Sequence, residues 1–159
     1  MPYGSGTDPR TATLKTGALV KGPGKLLTMD GTNNTLDILA TTQVTVGVSA
    51  GDSSRTAAGV LQAAAGATVS YYPATGVLMV QSIAGQTYTT GCLVYGTALG
   101  LCTATAGSEK CIGVYVGEGE VSPALVANGA GDSEQTDAAT LLLSEGAMIP
   151  VNMNTGLNA

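Results

Sequence analysis

Short apolar runs recur along the whole chain, each stopped by Gly, Asn, Asp or Pro. They occupy residues 14–20, 25–29, 36–40, 43–49, 60–64, 68–72, 77–83, 87–95, 101–105, 111–116, 123–127, 140–143 and 148–153. Strand-sized runs with turn residues about every 8–12 positions are the mark of a β-sandwich or barrel. Apolar and polar residues alternate in Thr68-Val69-Ser70-Tyr71 and Gln43-Val44-Thr45-Val46, as in strands with one buried face. Asp30-Gly31 and Ala74-Thr75-Gly76 suit hairpin corners. One segment, 133–143, has a polar start before an Ala/Leu stretch and competes as a helix. Residues 1–12 carry two Pro and two Gly and predict an extended arm.

The pattern repeats. Residues 13–22 (TLKTGALVKG) and 87–96 (TYTTGCLVYG) share six of ten positions at a spacing of 74. Val46-Gly47-Val48 matches Ile112-Gly113-Val114 at a spacing of 66, and residues 50–76 match 130–156 at 80, with eleven of 27 identical. The order of landmarks is the same in both halves, which predicts two degenerate copies, 13–77 and 87–157, joined by 78–86. Units of this size are marginal alone, so a shared core is expected. The repeated glycines Gly17/Gly91 and Gly22/Gly96 are expected at turns bounding a short strand. Gly51-Asp52 and Gly131-Asp132 are expected in Asp-closed turns, and Gly66/Gly146 and Gly76/Gly156 at positive φ. The expected fold is all-β: a Gly-rich β-barrel or β-sandwich of two tandem repeats sharing a core, with an N-terminal arm.

Composition narrows the chemistry. Charged residues are 11% of the chain and the net charge is −5. The basic residues Arg10, Lys15, Lys21, Lys25, Arg55 and Lys110 form no run, which argues against nucleic acid as a partner. There is no Trp or Phe, so Ala, Val, Leu and six Tyr must build the core. No run reaches the roughly 20 apolar residues of a membrane span, and residues 1–10 lack a secretory h-region. These features predict a chain made in the cytoplasm and not tied to a membrane.

Histidine is absent, which removes Ser-His-Asp and Cys-His catalysis. Cys92, Cys102 and Cys111 are odd in number and lack zinc spacing, so they read as small strand hydrophobes. Gly-Asp-Ser occurs twice in the same turn context, and Gly117-Glu118-Gly119-Glu120 offers too few oxygens for calcium. No catalytic residue, cofactor site or metal site is expected, and the chain reads as no enzyme. Among the tyrosines, Tyr71, Tyr72, Tyr95 and Tyr115 are candidates for an interface, since Tyr pairs an apolar body with a polar tip.

The stretch from Tyr88-Thr89-Thr90-Gly91-Cys92-Leu93-Val94-Tyr95-Gly96 through Cys111-Ile112-Gly113-Val114-Tyr115-Val116-Gly117 resembles the β-barrel modules of capsid decoration (cement) proteins of tailed bacteriophages. The likeness covers about 30 residues, with a weaker echo in the first half. It implies a structural protein on the outer surface of an icosahedral virion. Such a protein binds the major capsid protein and braces neighbouring subunits, often as a homotrimer. On that reading Pro2, Tyr3, Asp8 and Arg10 form an arm that orders on the shell. The rival expectation is a tail, fibre or adhesion module that binds carbohydrate or protein.

Overall fold

The computed structural model describes residues 8–31, 34–62, 65–124 and 145–153. Among these, structure is almost entirely β. The strands are β1 (Arg10–Thr13), β2 (Leu26–Asp30), β3 (Thr35–Ile38), β4 (Gly47–Ser49), β5 (Thr68–Pro73), β6 (Val77–Ile83), β7 (Tyr88–Thr89), β8 (Leu93–Gly96), β9 (Cys102–Thr103), β10 (Lys110–Tyr115), β11 (Glu120–Val121) and β12 (Glu145–Asn152). One 3₁₀ turn, Ala98–Gly100, precedes β9. In β6 the two-residue period is complete: Leu78, Val80 and Ser82 are buried, and the residues between them lie half-buried on the other face.

The first five strands form one sheet in the order β1-β5-β4-β2-β3. Its two ends meet where Leu14 bridges Leu36 in parallel, and the Lys15 N–H donates to the Leu36 carbonyl at 2.8 Å. Strands β10-β12-β6-β9-β8 close a barrel, sealed by the parallel pair Ser82↔Cys102 between β6 and β9. Strands β7 and β11 form a separate two-stranded ribbon. Read from β6, the barrel runs β6-β12-β10-β8-β9, so both sheets pass through their strands in one order. Leu14 with Leu36 and Ser82 with Cys102 are the corresponding closures.

The registers also correspond. Val48 pairs Tyr72 and Leu26, and Val114 pairs Asn152 and Leu93. Gly47 and Gly113 hold the same place in β4 and β10, each facing the last strand of its sheet. A Cβ on Gly47 would sit 2.8 Å from the Tyr72 carbonyl, and one on Gly113 would run into the Asn152 carbonyl. Both are glycines because backbone passes too close for a side chain. The spacings of 66 and 80 residues are therefore those of the ladders, β4 to β10 and β5 to β12.

The spacing of 74 is not. Residues 13–22 and 87–96 share one turn, in which the Ala18 N–H donates to Lys15 O at 3.0 Å and the Cys92 N–H to Thr89 O at 2.8 Å. After it they part. Leu93–Gly96 is β8, whereas residues 19–22 are in no strand and are held by a loop, with Val20 N–H donating to Ser53 Oγ at 3.1 Å. By the ladders the counterpart of Leu93 is Leu26, seven residues further along than the sequence match would place it.

Several expected elements change. The arm predicted over 1–12 ends as strand, since Arg10, Thr11 and Ala12 pair with β5. Of the run 14–20 only Leu14 joins a sheet, and the described part of 60–64 forms no strand, with Leu61 making only an isolated bridge to Arg55. The run 87–95 is cut in two by the turn at Gly91. Gln43–Val46 is not a strand, and Val44 is exposed while Thr45 is buried. The helix candidate 133–143 lies outside the described residues.

Replacing Gly47 or Gly113 with Ala is expected to cost about 1–3 kcal/mol by overpacking. Gly51→Ala, where a Cβ meets open space, should stay within about 0.5 kcal/mol. Urea midpoints at constant slope check this.

Candidate interaction surface

The two sheets touch through side chains on the outside of the first. In β2, Leu27 points into the first sheet's core with Leu14, Leu36, Ala67 and Val69. Its neighbour Leu26 points the other way and joins the second barrel's core, with Leu39 and Val48. Gly96 in β8 makes the room: a Cβ there would lie 2.5 Å from Leu39 Cδ2 and 3.3 Å from Leu26 Cδ1. Backbone bonds secure the seam, Gln81 N–H to Gly24 O at 2.8 Å and Gly100 N–H to Leu39 O at 3.1 Å.

A buried ion pair lies on the same seam. The Lys25 ammonium, just before β2, pairs with the Glu145 carboxylate at the start of β12, and both side chains are almost wholly buried. The ammonium also donates to the Lys21 carbonyl at 3.1 Å. Such a pair adds little net stability over apolar residues, but loss of one partner strands a charge.

On the second barrel the outward positions stay open. Leu93 is 43% exposed and Val116 is 41% exposed. Across β8, β10, β12 and β6 they continue through Tyr95, Val114, Pro150 and Met79, all half-buried, to Met148, which is 39% exposed and whose thioether lies against Gly24 at the seam. Asn152 and, next to the seam, Gln81 are uncharged polar members of this face. Barrel outer faces usually alternate apolar-in with polar-out, so an uncharged apolar wall is the site-like surface of this chain. Exposed Glu118 and Glu120 lie beyond Val116. Among the described residues no group of three or more His, Cys, Asp or Glu side chains could hold a metal ion.

The residues nominated from sequence scatter. Tyr95 lies on the open face. Tyr72 packs on the core that joins the two sheets, and Tyr71 on the first sheet's core. Tyr115 is 4% exposed, its ring 6.0 Å from that of Tyr88, and is core, not interface. It points inward because Val151, its ladder partner, does. Gly17, Gly22 and Gly91 occupy positive-φ turns, but Gly96 lies inside a strand and marks close packing. Gly66 and Gly76 have positive φ, whereas Gly146 does not. Asp52 braces a different turn from its own, accepting from the Gly22 N–H at 2.7 Å and from Arg55 at 2.9 Å. Asp8 is exposed and Arg10 is in β1; Pro2, Tyr3, Gly131, Asp132 and Gly156 lie outside the described residues. The open face was missed because its apolar residues read as core. Only a strand register separates Leu93, outward, from Val94, inward.

Burial alone would raise the Asp52 pKa. The Arg55 hydrogen bond, the Gly22 N–H and the Arg55 and Lys21 charges outweigh it and hold the carboxyl below 3.8. The stability tied to that carboxylate is therefore present above the unfolded value and lost as pH falls through the lower folded one. Inside the second barrel, the Tyr88 hydroxyl donates to the Cys102 carbonyl at 3.0 Å. Burial pushes the Tyr88 pKa far up and that of the Cys102 thiol to about 12, against a small lowering by Tyr88.

No protein-family model matches the chain, and no curated protein matches it in sequence.

Two outcomes follow from these environments. Lys25→Met or Glu145→Gln alone should destabilise by about 3–5 kcal/mol, while K25M with E145L recovers most of the loss; a double-mutant cycle on unfolding free energies measures it. At pH 8 a thiol with a pKa of about 12 is roughly one part in ten thousand thiolate. Iodoacetamide should then label the half-buried Cys92 and Cys111 in the native protein and Cys102 only after unfolding, as read by peptide mass spectrometry.

Proposed function

We propose that the chain is a non-enzymatic structural protein of a virion, a decoration protein that binds the outside of an icosahedral capsid and braces contacts between major capsid protein subunits. The observation that carries this reading is the uncharged apolar wall of the second barrel, from Leu93 to Met148, displayed on a sealed sheet. A bracing protein needs area to bury and a rigid body to transmit load. An uncharged wall can be covered without stranding ions, and a closed barrel holds its shape without a partner. The cadence of 88–96 and 111–117, like that of phage decoration proteins, points the same way.

On this reading the two sheets are diverged copies of one module. The shared strand order, the equivalent closures and the paired glycines Gly47 and Gly113 support the duplication. Sheet closure leaves few edges for strand addition, so docking would proceed through side-chain faces, aided by residues 1–8 as an arm ahead of β1.

Capsids assembled from a major capsid protein of the same genome provide the test. The purified chain should co-sediment with them to saturation. Removing residues 1–8, which leaves β1 intact, should weaken binding about tenfold, or about 1.4 kcal/mol. A chain left wholly in the supernatant at every concentration would refute capsid binding, and unchanged affinity of the shortened chain would refute the arm.

A further inference from the structure

One row of outward side chains occurs in both sheets but in opposite surroundings. In the first sheet the row Leu26–Val48–Tyr72 crosses β2, β4 and β5. The second barrel covers it: Leu26 is 0% exposed, Val48 is buried, and Tyr72 packs on the joint core. The equivalent row in the second barrel is Leu93–Val114–Asn152, across β8, β10 and β12. Among the described residues Leu93 there is 43% exposed, Val114 and Asn152 are half-buried, and exposed Val116 lies on the same face.

We infer that this second row seats another copy of the same chain, head to tail, repeating between chains the contact that joins the two sheets within one. The occupant follows from what receives the first row. Leu26 and its neighbours dock where β6 closes on β9, against Gln81, Gly96 and Gly100. The corresponding closure in the first sheet lies between β1 and β3. By the ladders Thr13 stands for Gln81, Met29 for Gly96 and Asn34 for Gly100. All three are exposed, Met29 at 46%. Asn34 even keeps the left-handed backbone of its counterpart, with φ 56° against 71° for Gly100.

Among the described residues each chain thus shows one open giving row and one open receiving closure, both low in charge. Lys15 and Asp37, paired at 3.3 Å, flank the receiving closure as a polar rim. The match is not a copy in every atom. Met29, 46% exposed, stands at the position that Gly96 leaves without a side chain, and its flexible thioether must lie aside to admit Leu93, a motion Met allows better than branched residues. Because the two surfaces differ, the contact is heterologous, and successive copies close into a ring when the rotation between them permits. The inference rests on the duplication proposed above, and it takes the Leu93–Val114–Val116 end of the apolar wall for the neighbouring copy, leaving the rest of that wall to the capsid.

Light scattering behind size exclusion on the full chain tests it. The native protein should run as a multiple of the monomer. Leu93→Asp and Met29→Asp should each run as a monomer with an unchanged thermal midpoint and β spectrum. An equimolar mixture of the two variants should form a dimer, since each retains the half that the other lacks. A native monomer at the highest soluble concentration would overturn the inference. So would an oligomer that L93D abolishes and M29D leaves intact, because that is a face meeting its own kind or a different partner. Variants that stay monomeric when mixed would overturn it as well. Capsid sedimentation of the native protein reads separately: a native oligomer that ignores shells refutes the decoration role and leaves head-to-tail assembly standing.

Discussion

Leu39 and Leu26 occupy the space that a side chain at position 96 would need. Most of the architecture depends on that seating. Neither five-stranded unit is large enough to bury a substantial core alone. By sending Leu26, Leu39 and Val48 into the cluster that holds Leu78, Val80, Ile149 and Val151, the first sheet makes the second barrel's core its own. The Lys25–Glu145 pair on the same seam then works against misregister: any slip that separates the two leaves a charge in an apolar joint. The core therefore sets the relative position of the sheets, and the ion pair excludes neighbouring alternatives.

Much of the fold was legible in the chain because its strands obey the two-residue period. Val77–Ile83 is a strand over the range its apolar run predicts, and the 66- and 80-residue spacings fall on matched ladders. The 74-residue spacing misled for a physical reason. Leu19-Val20-Lys21-Gly22 and Leu93-Val94-Tyr95-Gly96 are close in sequence, but the first has Ser53 to satisfy Val20 and so needs no strand partner. Local likeness does not specify which backbone groups lie nearby to complete the hydrogen bonding.

The candidate surface was less legible. Tyr95 was singled out and does lie on the open wall, but Tyr115 was chosen on the same grounds and is interior. Residue type cannot separate them; side does, and side depends on the bulge between Cys111 and Gly113. That irregularity lets Ile112 and Tyr115 both reach the core although they are three positions apart. Without it Val114 and Leu93 would not share the outer face.

The position of β12 in the chain has a consequence for biogenesis. The first sheet has all its strands once Pro73 is made, but the barrel that covers Leu26, Val48 and Tyr72 lacks a wall until Glu145 and the residues after it emerge. At roughly 5–20 residues per second that interval is about 4–14 s. For those seconds the nascent chain carries a completed sheet with a naked greasy flank beside the ribosome, where neighbours on a polysome display the same flank. Slow elongation through 74–144 would lengthen the hazard without altering one contact of the finished protein.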